Sequence, residues 1–276
     1  MASGSAIAQG ALLAVRAWGA TAVTLSRDAA LAAGAMSVLP GNYGRYVSNG
    51  AVPVQNTATV ASVLASLSAA RTAVGTASAT VQADAADLTS ANAGTLVADI
   101  AALAEALRAV AVDPSDQIRL MIALENFYPT PAVSSAAIGQ TIAAVQTETG
   151  AVCRRAALVS LARACAAYTP TSYNDALTLR DNVATLIQNE IIMASTAGDT
   201  NAYAALRALR TAVITDLTAR GANLPQLVEV TTRVPMPSLA LAYQLYGDAT
   251  RSDDLVQRAA PICSLWMPTD FVALSS

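Results

Sequence analysis

The stretch LVEVTTRVPMPSLALAYQLYGDATRSDDLVQRAAPICSLWMPTDFVALS, residues 227–275, decides the fold class, because strand, turn and helix signals come close together only there. Val228, Val230, Thr232 and Val234 alternate with polar or charged neighbours, the period-two pattern of a half-buried strand. Pro235 and Pro237 stop it. Ser238 is placed to cap a helix in which Leu239, Ala242, Tyr243 and Tyr246 recur at intervals of three and four, and Gly247-Asp248 supplies its terminating turn. Thr250 or Ser252 begins a second short helix with Leu255 and Val256 on its apolar side, closed by Pro261. Phe271-Val272-Ala273-Leu274 is short and apolar enough to return as a strand. The predicted order is strand, helix, helix, strand.

Outward from this stretch the text is alanine-rich and reads as helix almost everywhere. From residue 57 to 88 the positions Val60, Leu67, Val74, Val81 and Leu88 repeat every seven, with Leu64 between the first two, a coiled-coil-like seam filled in by small residues. Leu96, Ile100, Leu103, Leu107 and Val110 recur by four and three on a second helix, which should pair antiparallel with the first across residues 90–95. Asp113-Pro114-Ser115 starts the next helix, with Ile118, Met121 and Ile122 inward. After the rigid Tyr128-Pro129-Thr130-Pro131 linker, Ser134 or Ser135 should open a long helix with Ile138, Ile142, Val145 and Val152 on one face. Ser172 caps a further helix buried through Leu179, Val183, Leu186 and Ile191. Asp199 or Thr200 caps the last, where Leu206, Leu209, Val213 and Leu217 face in and Gly221 stops it.

The first helix, from Ile7 to Leu39, is dominated by Ala, Leu and Val, but it lacks a basic leading segment. Arg16 falls within the run, where a bilayer centre would impose about 2.5–3.5 kcal/mol on it. A soluble or bundle-buried helix is the expectation, with Gly10, Gly19 and Gly34 allowing close approach of neighbours, and a hydrophobic plug that meets another protein is the alternative. Pro40-Gly41-Asn42 and Gly50-Ala51-Val52-Pro53 bracket a loop with Tyr43 and Tyr46, which separates this segment from the body. The expected division is an apolar helix and loop over 1–52, a helical bundle of six to eight helices in all with its body over 53–224, and a small α/β module over 225–276.

Composition limits the chemistry. All 16 basic residues are Arg and the chain contains no His. That removes Ser-His-Asp triads, Cys-His pairs, HExxH zinc sites and histidine switches. Cys153, Cys165 and Cys263 are odd in number and form no CxxC. The first two lie twelve residues apart on one expected helix, roughly 18 Å along its axis and too far to bridge. All three read as free thiols of a reducing compartment, each buried as a small apolar residue. Asp248, Asp253 and Asp254 lack the alternating ligands of a calcium loop and read as helix-start electrostatics, so no metal and no cofactor is expected. Arg154, Arg155 and Arg163, and Arg207 with Arg210, are small basic spots that read as solvated helix faces or partner contacts. With a net charge of −3 the chain is a poor candidate for gripping phosphates.

The text from Leu239 to Val256, followed by Trp266-Met267-Pro268 and Phe271-Val272-Ala273-Leu274, resembles the C-terminus of the DNA circularisation protein N family of Mu-like phages. Upstream, Ala156-Ala157-Leu158, the run from Ala166 to Tyr173, the run from Ala205 to Arg210 and the run from Asp216 to Ala222 look like the same family's C-terminal half. Two departures stand out: the family's β-rich N-terminal domain has no counterpart here, and Cys263 stands about where the family has a histidine before its Met-Pro turn. The strand-helix-helix-strand order, with Tyr246-Gly247-Asp248 at the first helix end, is similar to a LysM module.

The resemblance implies a virion protein at the baseplate end of the tail tube, made in the host cytoplasm and assembled into a symmetric oligomer with other tail, baseplate, tube or hub proteins. It is expected to act as a protein–protein adaptor, without catalysis and without a membrane. Two alternatives stand beside it. One is a DNA-binding protein assisting circularisation or delivery of phage DNA. The other is a peptidoglycan-binding LysM module, although Arg258-Ala259-Ala260 replaces the Asn-containing stretch such a module would carry. The residues expected at a partner interface are Tyr243, Tyr246, Trp266, Met267 and Phe271 as anchors, with Arg251, Asp253 and Asp254 at the rim. Of these, Tyr243 and Phe271 are expected to serve mainly the module's own core, and Trp266, in a loop beside Pro268, is the leading interface residue.

Overall fold

A chain this rich in alanine, with few β-branched runs, has little to oppose helix formation. The computed structural model describes residues 2–37, 60–261 and 263–275. Among them are nine α-helices and two short strands, so the protein is mainly α with a small strand-containing module. Seven helices come first: α1 (Ala2–Ser37), α2 (Val60–Ala86), α3 (Ala93–Arg108), α4 (Pro114–Glu125), α5 (Ala137–Ala167), α6 (Tyr173–Thr196) and α7 (Thr200–Gly221). The module follows as β1 (Leu227–Thr231), α8 (Ser238–Tyr246), a 3-10 turn (Ala249–Arg251), α9 (Ser252–Ala259) and β2 (Asp270–Leu274). The loop expected around Tyr43 and Tyr46 lies outside the described residues.

The chain forms two compact units, one of residues 1–168 with 189–206, the other of residues 169–188 with 207–276. This partition cuts the chain differently from the division at 52 and 224. The module shares its unit with parts of α6 and α7.

In the first unit α1 packs against α2 and α5. By length and composition, residues 4–31 would suffice to cross a bilayer. One side of the helix is nevertheless covered by protein. Its buried stripe is Ala6, Gly10, Ala14, Val15, Trp18, Gly19, Ala22, Ser26 and Ala30, spaced by threes and fours, with Ala11 beside it. Nearly all of these are small, and the helices come close as a result. A Cβ placed on Gly10 would lie 2.6 Å from the Ile142 carbonyl oxygen, and one on Gly19 would strike the Ser78 hydroxyl. The one large member, Trp18, is fully buried and its indole N–H donates to the Leu124 carbonyl at 3.4 Å.

The heptad seam of α2 is present where side chains are described: Leu67, Val74 and Val81 are buried, joined by Ser78 and Ala85. Leu88 lies just past the helix end and is half-buried. On α3, Leu96, Ile100, Leu103 and Leu107 are buried as their spacing predicts, and Val110 follows just past the helix. Asp113 caps α4 through the Ser115 N–H, with Pro114 at the first helical position. There Leu124 fills the core beside Ile118 and Met121, while Ile122 is only half-buried.

Helix α5 is covered less along its expected apolar face than the spacing predicts. Ile138 is exposed and Ile142, Val145 and Val152 are half-buried. The burial falls instead on the C-terminal half, from Thr149 to Cys165, through Ala151, Cys153, Ala157, Leu158, Leu161 and Ala164, because α1, α3 and α4 all pack against this helix. Neither Ser134 nor Ser135 caps it; Ala136 occupies that position without a side-chain bond.

In the second unit Ser172 caps α6 through the Asp175 N–H, and Gly221, at the end of α7, lies against Ala176. The module is tied to the start of α6. Tyr173 N–H donates to the Pro225 carbonyl and Leu227 N–H to Asn174 Oδ1. The strands pair antiparallel, Leu227 opposite Leu274 and Thr231 opposite Asp270. Strand β1 is shorter than its β-branched run: Thr232 and Val234 lie beyond it and Val228 is exposed, because only one strand pairs with it and only Val230 turns to the core. That core is Leu241, Ala242, Leu255, Met267, Phe271 and Ala273, with Val230, Met236, Leu245, Tyr246 and Val256 at its margin. Burial of each of its larger side chains contributes about 1.5–3 kcal/mol.

Candidate functional site

The surface that stands out is on the module, where α8 meets the loop before β2. Prolines 235 and 237 hold the chain extended around Met236, and Pro237 rather than Ser238 occupies the N-cap of α8. Ser238 N–H donates to the Ser264 carbonyl at 2.8 Å, and Met267 N–H donates to the Met236 carbonyl at 3.0 Å. These two bonds lay residues 264–267 alongside the start of α8. Met267 then points into the core and is fully buried, whereas Leu265 and Trp266 turn out to solvent. On α8 itself Leu241 and Ala242 are buried, which leaves Leu239 and Tyr243, one turn apart, on the outer side. Leu239, Tyr243, Leu265 and Trp266 are 59–69% exposed, an unusual amount of large apolar surface on so small a module.

At the other end of α8 a polar cluster closes the structure. Gly247 takes the left-handed conformation (φ 69°) that ends the helix. Asp248 then caps the 3-10 turn, accepting from the Thr250 N–H and hydroxyl, which holds its carboxyl below the usual range. The Arg251 guanidinium lies 3.7 Å over the Tyr246 ring. The Tyr246 hydroxyl accepts from the Leu274 N–H at 3.1 Å; burial pushes its pKa up, while that bond and Arg251 pull it down by less. Asp254 pairs with Arg258 at 3.0 Å and lies 3.9 Å from Arg251.

The eight residues expected at the interface therefore separate into three sets. Met267 and Phe271 are core residues, so neither is an anchor for a partner. Tyr246, Arg251 and Asp254 are brought together, but by contacts that serve the module itself. Tyr243, Trp266 and Asp253 are exposed. Tyr243, expected in the core, is outside it, because α8 turns Leu241 and Ala242 inward instead. Leu239, read from its spacing as part of the helix's apolar side, and Leu265, not singled out by the sequence, join the surface; the loop position of Leu265 beside Trp266 was the available signal.

The basic spots divide: Arg163 and Arg207 lie on exposed helix faces as expected, whereas Arg154 and Arg155 do not. Arg154 is only 2% exposed and pairs with Glu190 at 2.9 Å. Arg155 pairs with Glu190 and Asp199, and Arg163 with Glu105. Burial raises the Glu105 carboxyl, but hydrogen bonds from Ser160, Arg108 and Arg163 outweigh it and hold it below its ordinary value. Arg210 donates to the Ala184 carbonyl. Cys153 and Cys165 are buried, and burial pushes the Cys153 thiol far up; Cys263 is exposed, contrary to expectation, because it lies in the loop before β2. No protein-family model matches the chain, and no curated protein matches it.

Proposed function

We propose that this chain is a structural component of a phage tail or baseplate, a protein–protein adaptor near the end of the tail tube whose module docks a neighbouring chain through Leu239, Tyr243, Leu265 and Trp266. The observation that carries the adaptor reading is the exposed apolar surface at the start of α8. Tyr and Trp with aliphatic neighbours are the composition of binding hot spots. The placement in a phage tail rests on the resemblance of residues 239–274 and of the upstream text to the DNA circularisation protein N family, and on the LysM-like order of the module.

Binding of DNA is the weaker reading, because Arg108, Arg154, Arg155, Arg163, Arg251 and Arg258 all sit in ion pairs and so do not sum to a positive surface. The deciding experiment is the mass in solution of the chain, alone and mixed with the tail and baseplate proteins of its phage. Wild type should form a defined mixed complex. Because Trp266 and Tyr243 lie outside the core, Trp266→Ala and Tyr243→Ala should leave the thermal midpoint unchanged and weaken that complex about tenfold or more. A monomer that ignores every tail protein but retards DNA at low salt would replace this reading with the DNA-binding one, and capture on peptidoglycan would replace it with the glycan-binding one.

A further inference from the structure

The charges buried in the first unit do not balance. Around Arg154 of α5 stand Glu125, the last residue of α4, Glu190 of α6, Arg155 of α5 and Asp199 before α7. Glu125, Arg154 and Glu190 are each 2% exposed or less. Every nitrogen of Arg154 has a partner other than Glu125. Nε donates to Glu190 Oε2 at 2.9 Å, Nη1 to the Phe127 carbonyl at 3.2 Å and Nη2 to Met193 Sδ at 3.8 Å, and the guanidinium lies 4.8 Å over the Tyr128 ring. Arg155 takes the other Glu190 oxygen at 2.9 Å and Asp199 at 2.8 Å. Two guanidinium groups are thus matched by two carboxylates. Glu125 is a third acid.

Its position opposes a charge as well. At the C-terminus of α4 the aligned dipoles of the helix, whose negative end lies there, disfavour a carboxylate. Desolvation does the same. The other titratable groups nearby are the Tyr128 hydroxyl and the Cys153 thiol, both with pKa values pushed up by burial and so neutral across the range that matters.

We propose that Glu125 is a proton-operated clasp: with its proton in place, α4, α5 and residues 189–199 close around a charge-balanced cluster, and loss of the proton adds surplus buried charge that loosens their contact. Burial pushes the Glu125 carboxyl above its ordinary value, Arg154 draws it part of the way back, and Glu190 adds to the rise. The sign follows from linkage. A native pKa above the unfolded value gives a contribution that is complete below the ordinary glutamate range and is lost as pH rises through the elevated one.

The chain has five glutamates, so a sample labelled with 13C at the glutamate carboxyl gives five signals to titrate. One should titrate above the ordinary value and vanish in Glu125→Gln. Between about pH 5 and about pH 8 the thermal midpoint of wild type should fall relative to that of Glu125→Gln, which mimics the protonated acid without titrating. Over the same rise in pH, hydrogen exchange across residues 114–128 and 189–199 should quicken more in wild type than in Glu125→Gln. Five carboxyls titrating at or below the ordinary value would overturn the proposal, as would parallel pH profiles of the two proteins. The titration uses the unaltered chain, so it decides the matter even if Glu125→Gln fails to fold.

Discussion

Two glycine-to-alanine substitutions should move stability in opposite directions if α1 is packed as closely as its small-residue stripe indicates. In an open helix interior the change gains about 1 kcal/mol, from backbone entropy and propensity. Gly75 of α2 is such a site: it is exposed and an added Cβ meets nothing within 4 Å. Gly75→Ala should therefore stabilise by roughly 1 kcal/mol. At Gly10 the same methyl would lie 2.6 Å from the Ile142 carbonyl oxygen and 2.9 Å from Val145 Cβ. A carbon beside a carbonyl oxygen settles at about 3.3–3.6 Å, and a backbone carbonyl cannot rotate aside. Helices α1 and α5 must then separate by several tenths of an ångström. Overpacking of this kind costs about 1–3 kcal/mol, and with rigid backbone on one side the upper end applies. Gly10→Ala should be destabilising by about 1–2 kcal/mol net. The gap between the two variants, on the order of 2–3 kcal/mol, corresponds to about 1 M in urea midpoint. Gly19→Ala should fall between them, since its obstacle is the Ser78 hydroxyl, which a rotamer change can move. Equal stabilisation by Gly10→Ala and Gly75→Ala in urea melts followed by circular dichroism would refute the close packing of α1 on α5.

Removing one member of the buried pair should be far worse than replacing both. Glu190→Ala leaves Arg154 desolvated without its carboxylate and should cost about 3–5 kcal/mol by chemical denaturation, whereas Arg154→Met with Glu190→Leu should recover most of that loss; a double variant as unstable as the sum of the singles would show that the pair is not coupled. Thiol labelling read by mass should find one reactive cysteine in the native chain, Cys263, and three after unfolding, and rapid native labelling of Cys153 or Cys165 would contradict their burial.

The fold is legible where large side chains carry the period. Leu67, Val74 and Val81 on α2, and Leu96, Ile100, Leu103 and Leu107 on α3, are buried as their spacing requires. It is obscured where small residues carry it. The spacing of Ile138, Ile142, Val145 and Val152 marks only one margin of the buried surface of α5, most of which is formed by Ala151, Cys153, Ala157 and Ala164. In an alanine-rich chain these residues do not mark a face, because alanine stands on the exposed sides as well. The buried charges escape for a different reason. Arg154-Arg155 reads locally as a solvated basic spot, and the partner that buries Arg154 is Glu190, on another helix and 36 residues away. No local spacing encodes that pairing.

In the module the inward side of α8 differs from its spacing, and the difference points to the surface proposed for docking. Seven of the nine residues of α8 are apolar, Leu239 to Tyr243 together with Leu245 and Tyr246. Such a helix has no single inward face to read, and an element apolar all round calls for cover on all sides. A two-stranded sheet and one short helix cover only the side with Leu241, Ala242 and Leu245. Leu239 and Tyr243 are left outside, and the bonds from Ser238 and Met267 to the returning loop set Leu265 and Trp266 beside the start of the helix rather than over it. The loop that could have covered α8 instead extends its apolar surface. A sequence selected only for the stability of this module would gain by placing polar residues at those four positions, so their presence supports a second chain as the missing cover.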